Sequence, residues 1–171
     1  MAITAPVAGA YTGTLNQNGA GALALNYTRQ GFNLNFAIKA ERVEESDIYG
    51  LSLIDIIFRG CQLSIDTICR VYSSVTRNAL MPWTGTFGRV YDAANPIAQL
   101  ASVRNDTLVL TAVAATPAAT AGPATFTATG VTISPDNNLQ IVLNSTLREV
   151  PLRWDVLLKD SGGTGSLFST T

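Results

Sequence analysis

The sequence predicts a mainly β fold, either a β-sandwich or a partly closed barrel, with one short flanking α-helix. Apolar and polar residues alternate through Phe32–Ile38, as in a strand with one buried face. The same alternation runs through Leu139–Leu143 and again through Leu152–Leu158, which predicts two long strands joined by a charged step at Arg148–Glu149. A proline- and glycine-rich turn signal, TPAATAGP, separates two further strand-like runs.

These patterns give the strands in chain order. Two short strands, Tyr11–Leu15 and Ala22–Thr28, flank a glycine-rich turn, and the strand from Phe32 continues to Val43. The later strands are predicted at Gln62–Arg70, Leu108–Ala114, Ala124–Ile133, Leu139–Asn144 and Leu152–Leu158. About eight strands in one chain of this length are typical of a sandwich or barrel.

One connection, residues 73–104, lacks strand alternation and contains several glycines and prolines. Within it, Pro96–Val103 is the predicted helix, because Asn95 is a suitable cap and Pro96 suits a first helical turn. The domain prediction is an N-terminal arm over residues 1–10, a single β domain over 11–160 and a C-terminal tail over 161–171. The tail is predicted to be flexible, since SGGTGS has the composition of a linker.

The segment Asp47–Gly60 is interpreted as a loop, yet it carries more large aliphatic residues than a loop in water should expose. These residues are Leu51, Leu53, Ile54, Ile56, Ile57 and Phe58. We therefore expect the segment to dock on another surface. Glu44, Glu45 and Asp47 lie beside it, and they indicate either an acidic surface feature or an ordinary solvated turn.

Composition narrows the function classes. Only 13% of residues are charged while 47% are hydrophobic, so part of the outer surface is expected to be covered in an oligomer. The net charge of −1 argues against tight nucleic-acid binding. No apolar run is long enough to span a membrane, and the N-terminus lacks the pattern of a signal peptide, so no membrane anchor is expected.

Catalytic and metal-binding chemistry is not predicted. The chain has no histidine, which removes the common catalytic triads and the commonest metal ligand. Cys61 and Cys69 lie too far apart on one strand for a disulfide, so both are predicted to be buried, reduced thiols. The sequence predicts no enzyme, no cofactor and no metal.

Several short stretches, read in order, carry a resemblance to a known family. They are DIYG at 47–50 with IDIIFRG at 54–60, MPW at 81–83, LVLTA at 108–112, TFTA at 125–128, LREVPL at 147–152 and FSTT at 168–171. This order and spacing resembles the tail tube (major tail) proteins of long-tailed bacteriophages. The residues Arg148, Glu149 and Pro151 stand in one such stretch, where Pro151 must occupy a strand start, an edge or a bulge because it lacks a backbone N–H.

The resemblance implies a virion protein that forms hexameric rings stacked into a hollow tail tube, assembled in the cytoplasm of a bacterial host. Its implied partners are copies of itself, the tape-measure protein, the tail terminator and baseplate proteins, with DNA passing through the lumen. Under this hypothesis the aliphatic segment contacts the next ring, and Asn33, Asn35, Lys39 and Glu41 face the lumen, with the acidic residues at its rim. Another virion component, such as a terminator, connector or decoration protein, and a non-viral β-domain that binds other molecules remain as alternatives.

Overall fold

The computed structural model describes residues 11–17, 21–25, 28–45, 52–70, 100, 106–113, 123–137, 149–161 and 164–171. These residues form ten strands, and no helix occurs among them. The strands are β1 (Tyr11–Gln17), β2 (Gly21–Leu25), β3 (Thr28–Glu45), β4 (Ser52–Arg70), β5 (Asp106–Ala112), β6 (Thr125–Ile133), β7 (Glu149–Val156), β8 (Lys159–Ser161), β9 (Thr164–Ser166) and β10 (Ser169–Thr170). The prediction of a mainly β fold is confirmed.

Eight of these strands form one antiparallel sheet in the order β2-β1-β5-β6-β7-β4-β3, with β10 added to the side of β6. β8 and β9 form a separate two-stranded sheet. The sheet curls around its core, because the Phe32 ring on β3 reaches Gly13 on β1, although four strands lie between β1 and β3 along the sheet. A Cβ on Gly13 would lie 2.4 Å from Phe32 Cζ, so this close approach requires glycine. The sheet therefore has the form of a partly closed barrel.

One face of each strand supplies the core, as period-2 alternation requires. On β7 the buried residues are Val150, Leu152, Trp154 and Val156, and every second residue between them is more exposed. The rest of the buried core comes from β1, β2, β4, β5 and β6: Leu15, Leu25, Leu63, Ile65, Cys69, Leu108, Leu110, Phe126, Ala128 and Val131. The prediction that Leu158 shares the buried face is wrong, because β7 ends at Val156 and Leu158 is exposed.

Pro151 occupies the third position of β7 and pairs with Ile68 on β4. The pairs between β6 and β7 involve only Trp154–Val156 of β7, so β6 does not use the backbone of Pro151. The position thus lies close to a strand start, as the missing N–H requires.

The structure corrects the interpretation of residues 52–60 as a loop, because they form the first half of β4 and pair with β3. It also corrects the prediction for one cysteine. Cys69 is buried, but Cys61 is exposed, and both are free thiols on β4. Burial raises the pKa of the Cys69 thiol by desolvation.

The linker composition of the tail ends at Leu167, and the residues from there on belong to the fold. Leu167 and Phe168 pack against the core, and Ser169 and Thr170 pair with Thr127 and Phe126 of β6. Backbone hydrogen bonds and the ring of Phe168 hold this segment. The composition of the linker before it does not predict these contacts. The predicted N-terminal arm, the strand Leu139–Asn144 and the helix Pro96–Val103, except Leu100, lie outside the described residues.

Candidate assembly interface

Beyond the core, β3 and β4 continue as a paired extension, which we call the β3–β4 arm (residues 36–45 and 52–62). The pairs run from Phe36↔Leu63 to Glu45↔Ser52. Leu63 is buried, whereas Ile38, two residues further along β3 than Phe36, is 67% exposed. The core therefore ends at the base of the arm, although the alternating apolar pattern of β3 continues past it.

A β-bulge in the arm decides which residues share a face. Lys39 pairs with Gly60, but the next residue, Ala40, pairs with Phe58, so Arg59 is the extra residue of the bulge. Gly60 has a φ of 129°, a conformation that residues with a Cβ rarely adopt. Without the bulge, Ala40 would pair with Arg59, and Phe58 would point to the other side of the arm.

The result is a largely apolar face that extends the core face outward as far as Arg42, the charged residue that pairs with Ile56. We call Phe36, Ile38, Ala40, Ile56 and Phe58 the apolar face of the arm, since paired residues of an antiparallel ladder project to the same side. In the described structure Phe58 is 73% exposed and Ile56 is 40% exposed. Cys61, which pairs with Ile38, lies on the same side.

The opposite side of the arm is mixed in polarity. Lys39 and Glu41 lie on it together with Ile57, which pairs with Glu41 and is 43% exposed. Arg59 donates two hydrogen bonds to Glu41 Oε2, from Nε at 3.1 Å and from Nη2. An exposed ion pair of this kind adds about 0.2–1 kcal/mol to stability and lowers the effective charge of this side.

The aliphatic residues that were predicted to form one contact loop therefore do not share one surface. Ile56 and Phe58 lie on the apolar face of the arm, and Ile57 lies on the other side. Leu53 and Ile54 belong to the backbone of β4, their side chains are outside the described set, and Leu51 is outside it altogether. The sequence pattern does not mark Phe36 and Ile38 as contact residues, because their alternation with polar residues is typical of a buried strand face.

The predicted lumen residues do share one side of β3. Asn33, Asn35, Lys39 and Glu41 all lie opposite the core face and are exposed. Asn35 Nδ2 donates a hydrogen bond to Asp66 Oδ2 at 2.5 Å. Asp66 Oδ1 lies 3.9 Å from Arg153 Nε on β7, so the polar side extends from β3 across β4 to β7.

The acidic residues and the family-motif residues are only partly described. Glu44 and Glu45 pair with Leu53 and Ser52 at the far end of the arm, and their side chains and Asp47 lie outside the described set. Arg148 is also outside it. Glu149 accepts hydrogen bonds from Arg29 at 3.0 Å and from Arg70 at 3.3 Å, which ties β3, β4 and β7 together.

Two grooves lie on the polar side within the part of the chain that the structure describes. The larger groove, of about 500 Å³, is lined by residues of β3, β4 and β7, among them Asn35, Ser64 and Asp155. Among the described residues no group of three histidine, cysteine or carboxylate side chains could hold a metal ion. No helix in the same part of the chain is long and apolar enough to cross a membrane.

Comparison with known proteins identifies a shared fold. No protein-family model matches the chain, and no curated protein matches it either. Among solved structures, it matches a chain from the cryo-EM structure of the anti-feeding prophage (AFP) baseplate, 6-fold symmetrised, with a TM-score of 0.51. The match covers 99% of this chain and 97% of that chain at 7% sequence identity, and it shows a shared fold.

Proposed function

We propose that this chain is a structural subunit of a phage-tail-like particle, which forms six-fold rings that stack into the tail tube. The exposed apolar face of the arm carries the proposal, because it is a surface that needs a partner in water. The fold match to a chain of a six-fold symmetric baseplate supports it. The low charge content of the whole chain supports it too, since the outer faces of such a subunit are covered by its neighbours.

The arm suits contact between stacked rings. It extends past the core, so its apolar face is accessible to a subunit above or below. Burial of Phe58 and Ile38 against that subunit would release water from two side chains that are 73% and 67% exposed. Head-to-tail contacts do not close on themselves, which makes stacking continue into a filament.

The sheet suits closure within a ring. In the described strands β2 and β3 stand at the two ends of the sheet. Each end strand presents a row of backbone N–H and C=O groups that favours pairing with another chain. Joining these edges between neighbours around a ring would satisfy both rows at once and leave no exposed edge.

The polar side of β3 suits the lumen. Asn33 and Asn35 are uncharged, and Glu41 is paired with Arg59, so Lys39 is the remaining charge among the four predicted lumen residues. A channel that conducts DNA must not retain phosphates, and each lysine or arginine contact to a phosphate adds affinity. The alternative is that this side faces outside solvent. The tape-measure protein and DNA would be the occupants of the lumen, and the terminator and baseplate proteins would cover the ends of the tube.

A second candidate is a ring component of another part of the particle, such as the baseplate or the head–tail connection. The match to a baseplate chain favours it specifically. Such a subunit would form rings through the same sheet edges but would not stack into long tubes. The two candidates therefore differ in the length of the assembly rather than in its ring contacts.

Negative-stain electron microscopy of the purified protein, with mass measurement in solution, distinguishes these functions. Hollow tubes of stacked rings are expected for a tube subunit. Isolated rings that do not lengthen with concentration would favour the second candidate. A third outcome is a protein that is monomeric at every concentration, and also after the addition of precipitating salts, which strengthen apolar association. That result would overturn both candidate functions.

A further inference from the structure

Residues 167–171 are held to the main sheet by a small set of contacts, which a second copy of the segment could also make. Ser169 and Thr170 add to the edge of β6, and the backbones of Thr125 and Thr171 exchange hydrogen bonds of 2.9 and 3.1 Å. β7 pairs with β6 only at Val131–Ile133, so it leaves this part of the edge open. The segment thus occupies an acceptor edge in the manner of strand addition.

Phe168 anchors the segment in the core. Its ring stacks on Phe126 with centroids 4.5 Å apart, and it lies 5.7 Å from the ring of Phe36 at the base of the arm. Leu167 also packs against the core, the hydroxyls of Thr125 and Thr171 share a hydrogen bond, and the rest of the contact is one short backbone ladder. An identical segment from another copy of the chain could make every one of these contacts without any change in the acceptor.

The residues between β7 and Phe168 are suited to open. β8 and β9 form a two-stranded sheet of their own, joined by three residue pairs. An isolated two-stranded hairpin is only marginally stable in water. Residues 162–165 read Gly-Gly-Thr-Gly, and glycine adopts alternative backbone conformations at little steric cost.

This stretch is long enough to cross one subunit. Fully extended, residues 157–168 reach about 40 Å. A compact chain of this length has a radius of gyration of about 15 Å and hence a diameter of roughly 40 Å. The segment can therefore span from one subunit to the β6 edge of the next one in contact with it.

We propose that residues 167–171 are exchanged between neighbouring subunits, so that the β8–β9 hairpin opens and each subunit donates its last strand to the β6 edge of the next copy. This inference rests on the proposed ring assembly. In the free subunit the segment occupies its own edge, as observed. In the assembly the same contacts form between chains, which costs little because donor and acceptor are identical and adjacent.

A cysteine pair at Thr125 and Thr171 tests the exchange. Their reciprocal backbone hydrogen bonds define a pair with Cα atoms about 5.5 Å apart, within the range for a disulfide. The variant Thr125→Cys/Thr171→Cys is made together with Cys61→Ser, because Cys61 is an exposed thiol. Free subunits and assembled particles, checked by electron microscopy, are oxidised and separated by non-reducing denaturing electrophoresis.

Free subunits at low concentration are expected to give only monomers with an internal cross-link. Assembled particles are expected to give covalent dimers and higher multimers. A mixture of Thr125→Cys subunits with Thr171→Cys subunits supplies the matched control, since its two single variants can form a covalent dimer only across subunits. Dimers in the mixed particles support exchange.

Particles of normal appearance that contain only internal cross-links, and mixed particles without covalent dimers, would overturn the exchange and leave the ring proposal intact. Free subunits that form no internal cross-link would overturn the placement of Thr171 beside Thr125, and the exchange with it. Protein that forms no rings or tubes in microscopy would instead overturn the proposed function.

Discussion

Replacing Phe58 with aspartate should abolish stacking while leaving the subunit folded. A phenylalanine side chain buries about 150–250 Å² when it is fully covered. Since Phe58 is 73% exposed, a partner could cover about 110–180 Å² of it. At about 25 cal/mol per Å², this burial contributes about 3–4 kcal/mol to each contact, as an upper estimate.

A loss of this size corresponds to a decrease of about 100- to 1,000-fold in the association constant of each contact. The effect on a tube is larger, because every subunit of a ring would carry the same defect. An aspartate in the contact adds the cost of removing a charge from water, several kcal/mol if it finds no partner. In the free subunit position 58 is exposed, so folding stability should change by less than about 0.5 kcal/mol.

Sedimentation velocity and negative-stain microscopy measure assembly, and urea unfolding of the dissociated subunit measures folding. Phe58→Tyr is the matched control, because it retains the ring and nearly all of its apolar area. We expect tubes from Phe58→Tyr, and rings or monomers from Phe58→Asp, with the same urea midpoint in both. Normal tubes from Phe58→Asp would refute the assignment of the apolar face to an interface, and a large decrease in its urea midpoint would show that Phe58 belongs to the fold.

Three further substitutions or reactions test the fold. Gly13→Ala should destabilise the free subunit by about 1–3 kcal/mol, because the added Cβ overlaps the Phe32 ring, and Phe32→Leu in the same chain should recover part of the loss in urea unfolding. Phe168→Ala should cost about 2 kcal/mol in the same assay, less than for a fully buried ring, whereas Phe168→Leu should cost less. Cys61 should react with a thiol reagent in the native free subunit, and Cys69 should react only after unfolding. The reason is that burial raises the pKa of the Cys69 thiol and excludes the reagent. Mass spectrometry measures the two labelling rates, and equal rates would contradict this prediction.

Local sequence patterns determined the class of the fold. Alternation assigned Leu152, Trp154 and Val156 to one face of a strand, and all three are buried. This success has a simple cause, because successive side chains of any strand point to opposite sides whatever the strand packs against. The missing N–H of Pro151 likewise restricts its place in a sheet through local chemistry alone.

The tertiary structure decided where the core ends. Alternation gave Phe32 and Ile38 the same side, but only Phe32 packs against the core, and Ile38 is 67% exposed. Nothing in a period-2 pattern states how far the opposing strands extend. The sequence pattern of an apolar strand side is therefore the same whether that side packs on the core or projects beyond it.

The strand nature of residues 52–60 also depended on long-range pairing. Their apolar residues occur in consecutive positions, so they lack simple alternation, and the bulge at Arg59 and Gly60 shifts the faces by one residue. Only the pairing with β3 reveals that Ile56 and Phe58 lie on one side and Ile57 on the other.

The place of the last residues had no local signal at all. Ser169 and Thr170 join β6 through backbone hydrogen bonds that any non-proline residue could make, so composition could not predict them. The sequence by itself thus determined the strands that alternate regularly and the apolar side of each of them. The tertiary structure determined which of those sides and edges are covered within the described part of the chain and which are exposed, because burial depends on residues far apart in sequence.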